Sequence, residues 1–228
     1  MSTPDRPDAD PDLIQRLKPM LAMLAADPAS LSSVTDSHRG VVVHLLDSLA
    51  GTVLDELEHP EAVVDIGSGA GFPGIPLAAA RPDSRFDLID SVGRKVDFMD
   101  RVISELGLGN ARAVKVRSEN WAEAEGREAY QVATARAVAP LAVLAELASP
   151  LLLEGGVLVA WKGARETGDE LALETAGRSL AMGLDRIVPV QPFPTSRVRH
   201  LYVVSKTGPT PDRLPRRPGM ARKRPFPT

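Results

Sequence analysis

The feature that most constrains the fold is a short apolar run that passes directly into a glycine-rich loop. Val63-Val64-Asp65-Ile66 is followed by glycines at positions 67, 69, 71 and 74. Glycine accepts positive φ and lets a ligand approach the backbone, because it has no Cβ. A buried strand that turns through such a loop into a helix opens many doubly wound α/β folds, which bind ligands at the carboxyl ends of their strands. We therefore predict such a sheet, with a small-molecule site at this loop.

The rest of the chain supports a parallel sheet, since β-rich apolar runs alternate with helical stretches from Glu61 onward. The predicted strands are residues 62–66, 85–89, 112–116, 131–135 and 157–161. The predicted helices between them are residues 75–80, 94–106, 140–151 and 167–181. Two further strands, 185–190 and 199–205, leave no room for a crossover helix, so we expect an antiparallel hairpin at the end of the sheet.

A small helical region is predicted before the sheet. Asp12 is a candidate N-cap for a helix whose apolar stripe consists of Leu13, Leu17, Leu21 and Leu24. Pro19 is expected to kink this helix or divide it into two abutting turns. A second helix is predicted over residues 39–56, with a core face made of Leu45, Leu46, Leu49 and Val53. The expected organisation is a disordered N-terminus (1–11), a helical region (12–60), a Rossmann-like domain (61–206) and a basic C-terminal tail (207–228).

Composition excludes several kinds of chemistry. The chain has no cysteine, and its four histidines are scattered without metal-ligand spacing. Disulfides, thiolate metal sites and cysteine nucleophiles are therefore excluded, and we expect no metal. No run approaches the ~18 apolar residues that a membrane span needs. We expect a cytoplasmic protein that does not bind membranes.

Charge is distributed unevenly, although the net charge is only −3. Residues 206–228 contain seven Lys or Arg and one acid. A basic, proline-rich end is typical of a phosphate-binding segment. A solvated extension that keeps the protein soluble is the alternative on charge alone.

The glycine loop fits two ligand classes. Asp65-x-Gly67-x-Gly69-x-Gly71 resembles the first motif of S-adenosylmethionine-dependent methyltransferases, whereas Gly69-x-Gly71-x-x-Gly74 matches the dinucleotide-binding fingerprint. Three features favour the methyltransferase pattern. Asp65 lies inside the strand, where a carboxylate suits the ammonium group of methionine; Pro73 suits an irregular loop; and a hairpin follows near the C-terminus. A nicotinamide-dependent oxidoreductase remains the main alternative.

Asp90 is the candidate ribose ligand. It ends the second strand, 23 residues beyond Gly67. An acid at this place accepts hydrogen bonds from both ribose hydroxyls in either cofactor class. A cap on the following helix is the alternative role.

Four segments, in the same order, resemble the ribosomal RNA small subunit methyltransferase G family. They are His44-Leu45-Leu46-Asp47-Ser48-Leu49, the loop Gly67 to Leu77, Leu88-Ile89-Asp90-Ser91, and Arg136-Ala137-Val138-Ala139. The likeness covers about residues 30 to 225 and includes the basic ending. It implies a class I methyltransferase fold with S-adenosylmethionine as cofactor. It further implies methyl transfer to N7 of a guanine in the 530 loop of 16S ribosomal RNA, with this RNA or the small ribosomal subunit as partner. We expect a monomer.

The resemblance also assigns residues to the cofactor. Gly67, Gly69 and Phe72 would line the methionine and adenosine pocket, and Asp90 would hold the ribose. Ser118 and Glu119 would flank the adenine; the alternative for this pair is an N-cap of the next helical stretch.

Arg136 has several possible roles at the end of the fourth strand. It would contact guanine, a phosphate or the cofactor, unless it forms a structural ion pair. Thr134-Ala135-Arg136-Ala137 stands where methyltransferases of exocyclic amines often carry an Asn-Pro-Pro-Tyr type motif. This agrees with an N7 acceptor, which already presents a lone pair and needs no base.

We expect alignment of the two substrates, rather than a catalytic residue, to drive transfer. Glu119 or Asp47 would at most stabilise the positive charge that develops on guanine. Lys162 and the basic tail would bind RNA phosphates, with the tail lying apart from the cofactor pocket. Two positions depart from the family pattern: Ser30-Leu31-Ser32 replaces an Asn-Leu-Thr segment, and Val43 replaces a basic residue. Other possibilities are a methyltransferase with a small-molecule or protein acceptor, and an RNA-binding module that retains a vestigial cofactor pocket.

Overall fold

The computed structural model describes residues 10–27 and 37–226. A seven-stranded sheet with the order β3-β2-β1-β4-β5-β7-β6 forms its centre. The strands are β1 (Ala62–Ile66), β2 (Arg85–Asp90), β3 (Ala111–Lys115), β4 (Tyr130–Arg136), β5 (Leu152–Lys162), β6 (Met182–Val190) and β7 (Arg199–Lys206). Strands β1 to β5 pair in parallel, while β7 is antiparallel to both β5 and β6. The predicted doubly wound sheet with its antiparallel hairpin is confirmed.

Helices connect the strands as crossovers. They are α4 (Gly74–Ala80), α5 (Gly93–Leu106), α6 (Ser118–Ala122), α7 (Leu141–Ala148) and α8 (Thr167–Leu180), and a short α9 (Met220–Lys223) follows β7. Helix α7 ends three residues before the predicted position, and β5 begins five residues early. An irregularity in the pairing of β4 with β5, between Tyr130 and Val132, accommodates this longer strand.

The helical region before the sheet differs from its prediction in detail. Helix α1 (Pro11–Ala26) is capped by Asp10, whose Oδ1 accepts from the N–H of Asp12, so Asp12 is not the N-cap. The helix continues through Pro19, so the predicted division into two abutting turns is wrong. Residues 1–9 and the segment Ser30-Leu31-Ser32 lie outside the described residues.

The second predicted helix is a succession of short helical segments. They are α2 (Ser37–Gly40), a π-helix (Val41–Leu46), α3 (Asp47–Leu49) and two 3₁₀ turns (Ala50–Val53 and Asp55–Leu57). Leu45 and Leu49 are buried, as the predicted core face requires, whereas Leu46 and Val53 are half-buried. A π-helical turn often marks a functional site, because it re-aims side chains.

Two apolar cores lie on opposite faces of the sheet, since Val63 belongs to one and its neighbour Val64 to the other. The first core joins the helical N-terminal region to α4 and α5. The second core includes residues of α7 and α8 together with Leu214, Ala221 and Phe226. The alternative of a solvated C-terminal extension is therefore contradicted, because that segment is packed on the domain.

No helix in the described part of the chain is long and apolar enough to cross a membrane. Within the same residues, no group of three or more acidic or histidine side chains is placed to hold a metal ion.

Candidate active site

The glycine loop lies at the carboxyl edge of the sheet, directly after β1. Gly67, Gly69 and Gly71 adopt φ values of +67°, +63° and +90°. The N–H groups of Gly67 and Ser68 both donate to the carbonyl of Ile89 at the end of β2, at 2.9 and 3.1 Å. The loop continues to Pro73, and α4 begins at Gly74. These hydrogen bonds fix the loop against the strand that carries Asp90.

Asp65 stabilises the end of the glycine loop through a hydrogen bond to its carboxylate. Its carboxylate is 1% exposed, and its two oxygens accept from the N–H of Gly74 at 3.1 Å and the Thr134 hydroxyl at 2.8 Å. Burial raises the pKa of Asp65. These hydrogen bonds lower the pKa, but the effect of burial is larger. The interpretation that this carboxylate faces a methionine ammonium is wrong, because the group is inaccessible and already bonded.

Asp90 makes the helix-cap contact that was considered for it, and its role as the ribose ligand stays a prediction. Its Oδ1 accepts from the N–H of Val92, at the start of α5, at 2.9 Å. Its Oδ2 accepts from the N–H of Gly69 at 3.1 Å and lies 3.4 Å from the Lys95 ammonium. The same carboxylate lines a cavity of about 410 Å³ beside the loop. Asp90 thus ties the glycine loop to α5 and also presents an anion to the cavity.

This first cavity unites four of the seven predicted cofactor residues: Gly67, Asp90, Ser118 and Glu119. The Ser118 hydroxyl donates to the carbonyl of Leu147 at 3.2 Å. One oxygen of Glu119 accepts from the N–H of Gly219 at 2.7 Å. The remaining walls include three residues from the C-terminal segment, namely Gly219, Ala221 and Arg222.

The expectation that the basic tail lies apart from this pocket is therefore wrong. In the basic C-terminal end, the local sequence signal for a turn is Gly219, which follows Pro215-Arg216-Arg217-Pro218. No local pattern indicated where in the fold that turn would lie.

Phe72 and Arg136 are not among the residues that line the first cavity, and their assignment to the cofactor stays a prediction. The His44 ring stacks on Phe72 with centroids 4.7 Å apart. The Arg136 guanidinium lies 5.1 Å from the Phe72 ring centroid. Phe72 consequently joins the glycine loop to the helical N-terminal region. Gly69 is also absent from the cavity wall and acts through its hydrogen bond to Asp90.

A second cavity, of about 400 Å³, adjoins the first at Ala137, which lines both. Its walls include His44, Asp47, Arg136, Trp161, Lys162 and Arg199. Asp47 is central to this wall. Its carboxylate accepts from Arg136 at 2.9 Å and Arg199 at 3.1 Å, and its carbonyl accepts from the Trp161 indole at 2.8 Å.

A family model, described as rRNA small subunit methyltransferase G, matches residues 14–190. The chain belongs to this family. The family member of Pelotomaculum thermopropionicum is 39% identical over 199 residues, which cover 86% of this chain and 83% of that protein. The member from Staphylococcus aureus is 34% identical over 86% of this chain and 82% of its own length.

Solved structures agree on the fold. Aeropyrum pernix fibrillarin, in complex with natively bound S-adenosyl-L-methionine, aligns with a TM-score of 0.53 at 14% identity, over 69% of this chain and 72% of its own. Pyrococcus horikoshii TYW2 in complex with MeSAdo gives 0.54 at 11% identity, over 71% and 62% of the two chains. The family member described here is an S-adenosylmethionine-dependent methyltransferase of class I fold. The oxidoreductase alternative is wrong.

The second cavity of this methyltransferase has a distinctive charge arrangement. Burial, and then the Arg136 charge, lower the pKa of His44 to about 4, so its ring is neutral at pH 7. Burial lowers the pKa of Arg136 as well, while Asp47 raises it. The Lys162 ammonium lies 2.6 Å from Asp169 and also donates to the Ala139 carbonyl. These internal partners hold the Lys162 ammonium in place, and phosphate binding by Lys162 stays a prediction.

Proposed function

We propose that this methyltransferase transfers a methyl group to N7 of a guanine in the 530 loop of 16S ribosomal RNA. The observation that carries the proposal is the pair of adjoining cavities that share Ala137. One cavity has the glycine loop and an acidic strand end, and the other has a cationic rim with an aromatic wall. The relatives that cover most of this chain are named as methyltransferases of the small-subunit ribosomal RNA.

The first cavity fits S-adenosylmethionine. Asp90 has the carboxylate that a ribose diol needs, Gly67 leaves room beside the backbone, and Ser118 and Glu119 also line the cavity. Gly69 contributes through its hydrogen bond to Asp90. When bound, the cofactor supplies an electrophilic methyl carbon on a sulfonium sulfur. Asp90 would hold the ribose, and Ser118 and Glu119 would flank the adenine, in a cavity that shares Ala137 with the second one.

The second cavity fits a guanine base. Its wall includes Trp161, which is 5% exposed, and Arg136 and Arg199 have donors of the kind that bind guanine O6 or a phosphate. Guanine N7 carries an in-plane lone pair, so no group has to remove a proton. The bound cofactor would supply the methyl carbon and would leave as a neutral thioether, so that the positive charge would pass to the base. Orientation of N7 is then the main contribution of this cavity.

The two nearby carboxylates differ in their partners. Asp47 lies between two guanidiniums, so it is not an uncompensated anion that would stabilise the methylated base. Glu119 accepts the uncharged Gly219 N–H, and an electrostatic contribution from Glu119 stays a prediction. We expect the reaction to depend mainly on alignment, with Arg136 as a positioning residue through its contacts with Phe72 and Asp47.

We further propose that the enzyme acts as a cytoplasmic monomer. Ribosomal RNA and assembling subunits are found in the bacterial cytoplasm, and the sequence has no cysteine that would indicate an oxidising compartment. Sedimentation at micromolar concentration tests the oligomeric state.

The decisive experiment is methylation of 16S RNA and of purified small subunits, followed by mapping of N7-methylguanine. We expect one modified guanine, located in the 530 loop. Arg136→Ala should lower kcat strongly, whereas Arg186→Ala, which removes an ion pair on β6 outside both cavities, should not. Methylation elsewhere, or of a small molecule or protein only, would contradict the proposal. Binding of RNA and cofactor without transfer would indicate the RNA-binding module instead.

A further inference from the structure

The C-terminal segment, residues 214–226, is folded onto the domain even though it carries most of the basic residues of the chain's end. Leu214, Ala221 and Phe226 are buried in the core that lies under α7 and α8. Burial of three apolar side chains is a considerable contribution to docking, at about 25 cal/mol per Å² of apolar surface. The segment therefore has one defined position on the protein.

Arg216 anchors this segment by a bidentate ion pair. Its Nε and Nη2 donate to the two carboxylate oxygens of Glu146 at 2.6 and 2.5 Å. Glu146 lies on α7 and is only 4% exposed. The Arg216 guanidinium also lies 4.3 Å from the centroid of the Phe226 ring. A buried carboxylate with a bidentate partner is costly to leave unpaired, so the pair holds the segment in place.

The anchored segment forms part of the cofactor cavity. Gly219, which has a φ of +83°, donates its N–H to Glu119 at 2.7 Å. Arg222 donates to the carbonyl of Val138 at 2.8 Å. Gly219, Ala221 and Arg222 all line the cavity, whereas Arg216 and Glu146 do not. The anchor is thus separate from the wall that it positions.

The remaining cations of the segment face outward. Arg217, Lys223 and Arg224 are exposed, and none of their side chains makes a hydrogen bond or ion pair with any residue that the structure describes. The basic residues therefore fall into two groups. The side chains of Arg216 and Arg222 bond to other residues of the protein, and the other three are available to a polyanion.

We propose that the C-terminal segment is a docked wall of the cofactor cavity, and that its docking through Arg216 and Glu146 is coupled to S-adenosylmethionine binding. Only the outward group, Arg217, Lys223 and Arg224, binds phosphates; this second half rests on the proposed RNA substrate. Coupling between docking and binding is reciprocal, so the cofactor stabilises the docked segment to the same extent that the segment stabilises the cofactor.

Arg216→Ala tests the first half, with S-adenosylhomocysteine titrated calorimetrically. We expect its dissociation constant to rise about tenfold, within the range usual for coupled sites. Arg186→Ala is the matched control, because it also removes an arginine–carboxylate pair and lies outside the cavity. Its dissociation constant should equal that of the wild type. An unchanged constant for folded Arg216→Ala would overturn the proposal.

Hydrogen exchange on the wild-type protein gives a test that needs no variant. S-adenosylhomocysteine should slow amide exchange not only at residues 219–224 but also at Leu214, Arg216 and Arg217, which do not line the cavity. Amides of β6 serve as the unaffected reference. Protection confined to residues that line the cavity would contradict coupling, even where Arg216→Ala fails to fold.

The triple variant Arg217→Ala/Lys223→Ala/Arg224→Ala tests the second half. It should raise KM for RNA and lower the slope of log affinity against log salt, by about 0.7 to 0.9 for each phosphate that the variant no longer binds. Its S-adenosylhomocysteine affinity should equal that of the wild type, which is the reverse of Arg216→Ala. Unaltered RNA binding by the triple variant would refute phosphate binding by Arg217, Lys223 and Arg224. It would not bear on the proposed coupling between docking of the segment and cofactor binding.

Discussion

Replacing Asp90 with asparagine should impair both the cofactor site and the loop beside it. The carboxylate accepts from the N–H groups of Val92 and Gly69 while it lines the cavity. Asparagine has nearly the same shape but only one acceptor oxygen, so its NH₂ group must face one of these two donors. The ribose hydroxyls lose a charged acceptor at the same time.

Each effect has a magnitude. A hydrogen bond to a charged group contributes roughly 1.5 to 3 kcal/mol, so affinity for S-adenosylhomocysteine should fall by about 10- to 100-fold. A buried donor left unsatisfied costs roughly 1 to 3 kcal/mol of folding free energy. In a chain of this size, each kcal/mol lowers the melting temperature by about 2 to 4 °C. Asp90→Asn should therefore be folded but less stable.

Calorimetric titration and thermal denaturation measure the two effects separately. Asp100→Asn on the exposed side of α5 is the matched control, since it makes the same chemical change away from the cavity. We expect wild-type affinity and stability from it. An Asp90→Asn protein that binds S-adenosylhomocysteine as the wild type does would refute the ribose role and leave Asp90 as a helix cap only.

Two further substitutions test the loop and the second cavity. Gly74→Ala would place a Cβ against Leu88 Cδ2 and 2.8 Å from Asp65 Oδ2. It should therefore lower the free energy of unfolding by about 1 to 3 kcal/mol. A urea midpoint equal to that of the wild type would contradict this packing. For His44, the folded pKa of about 4 lies below the ordinary 6.5, so the unfolded chain takes up the proton first and stability is lost as pH falls from 6.5 towards 4. His44→Gln should lack this part of the acid destabilisation, and identical pH dependence of urea midpoints in both proteins would show that His44 does not cause it.

Local patterns were sufficient for the sheet and its ligand edge. Each βα unit is recognisable from its own short stretch of sequence, as an apolar run followed by a helical stretch. Each strand then pairs with a strand of a similar unit. The position of Asp90 followed from its place at the end of β2, because the carboxyl ends of parallel strands meet at one edge. Gly67, Asp90, Ser118 and Glu119 therefore meet at one cavity, as the motif spacing and the family resemblance together indicated.

Side-chain partners from distant segments were beyond local patterns. Asp65 was interpreted as a ligand for an ammonium group, but Thr134 and the N–H of Gly74 occupy its oxygens. Phe72 was expected to line the cofactor pocket, and the packed structure adds two contacts that no local pattern indicated, with the His44 ring and the Arg136 guanidinium. In each case the deciding contact joins residues from different segments, and their proximity exists only after the strands and helices have packed.

By itself, the sequence determined the order of strands and helices, the glycine loop and the class of cofactor, because these depend on backbone conformation and on apolar periodicity within short windows. The basic ending was visible only as charge, and charge alone does not distinguish a solvated extension from a docked one. The tertiary structure shows that the segment is docked, because Leu214, Ala221 and Phe226 are buried in the second core and Arg216 pairs with Glu146, 70 residues earlier in the chain. Burying apolar surface and pairing a buried carboxylate stabilise that position more than solvation of the same residues does, so a segment that resembles a tail becomes a wall of the cavity that we propose for the cofactor.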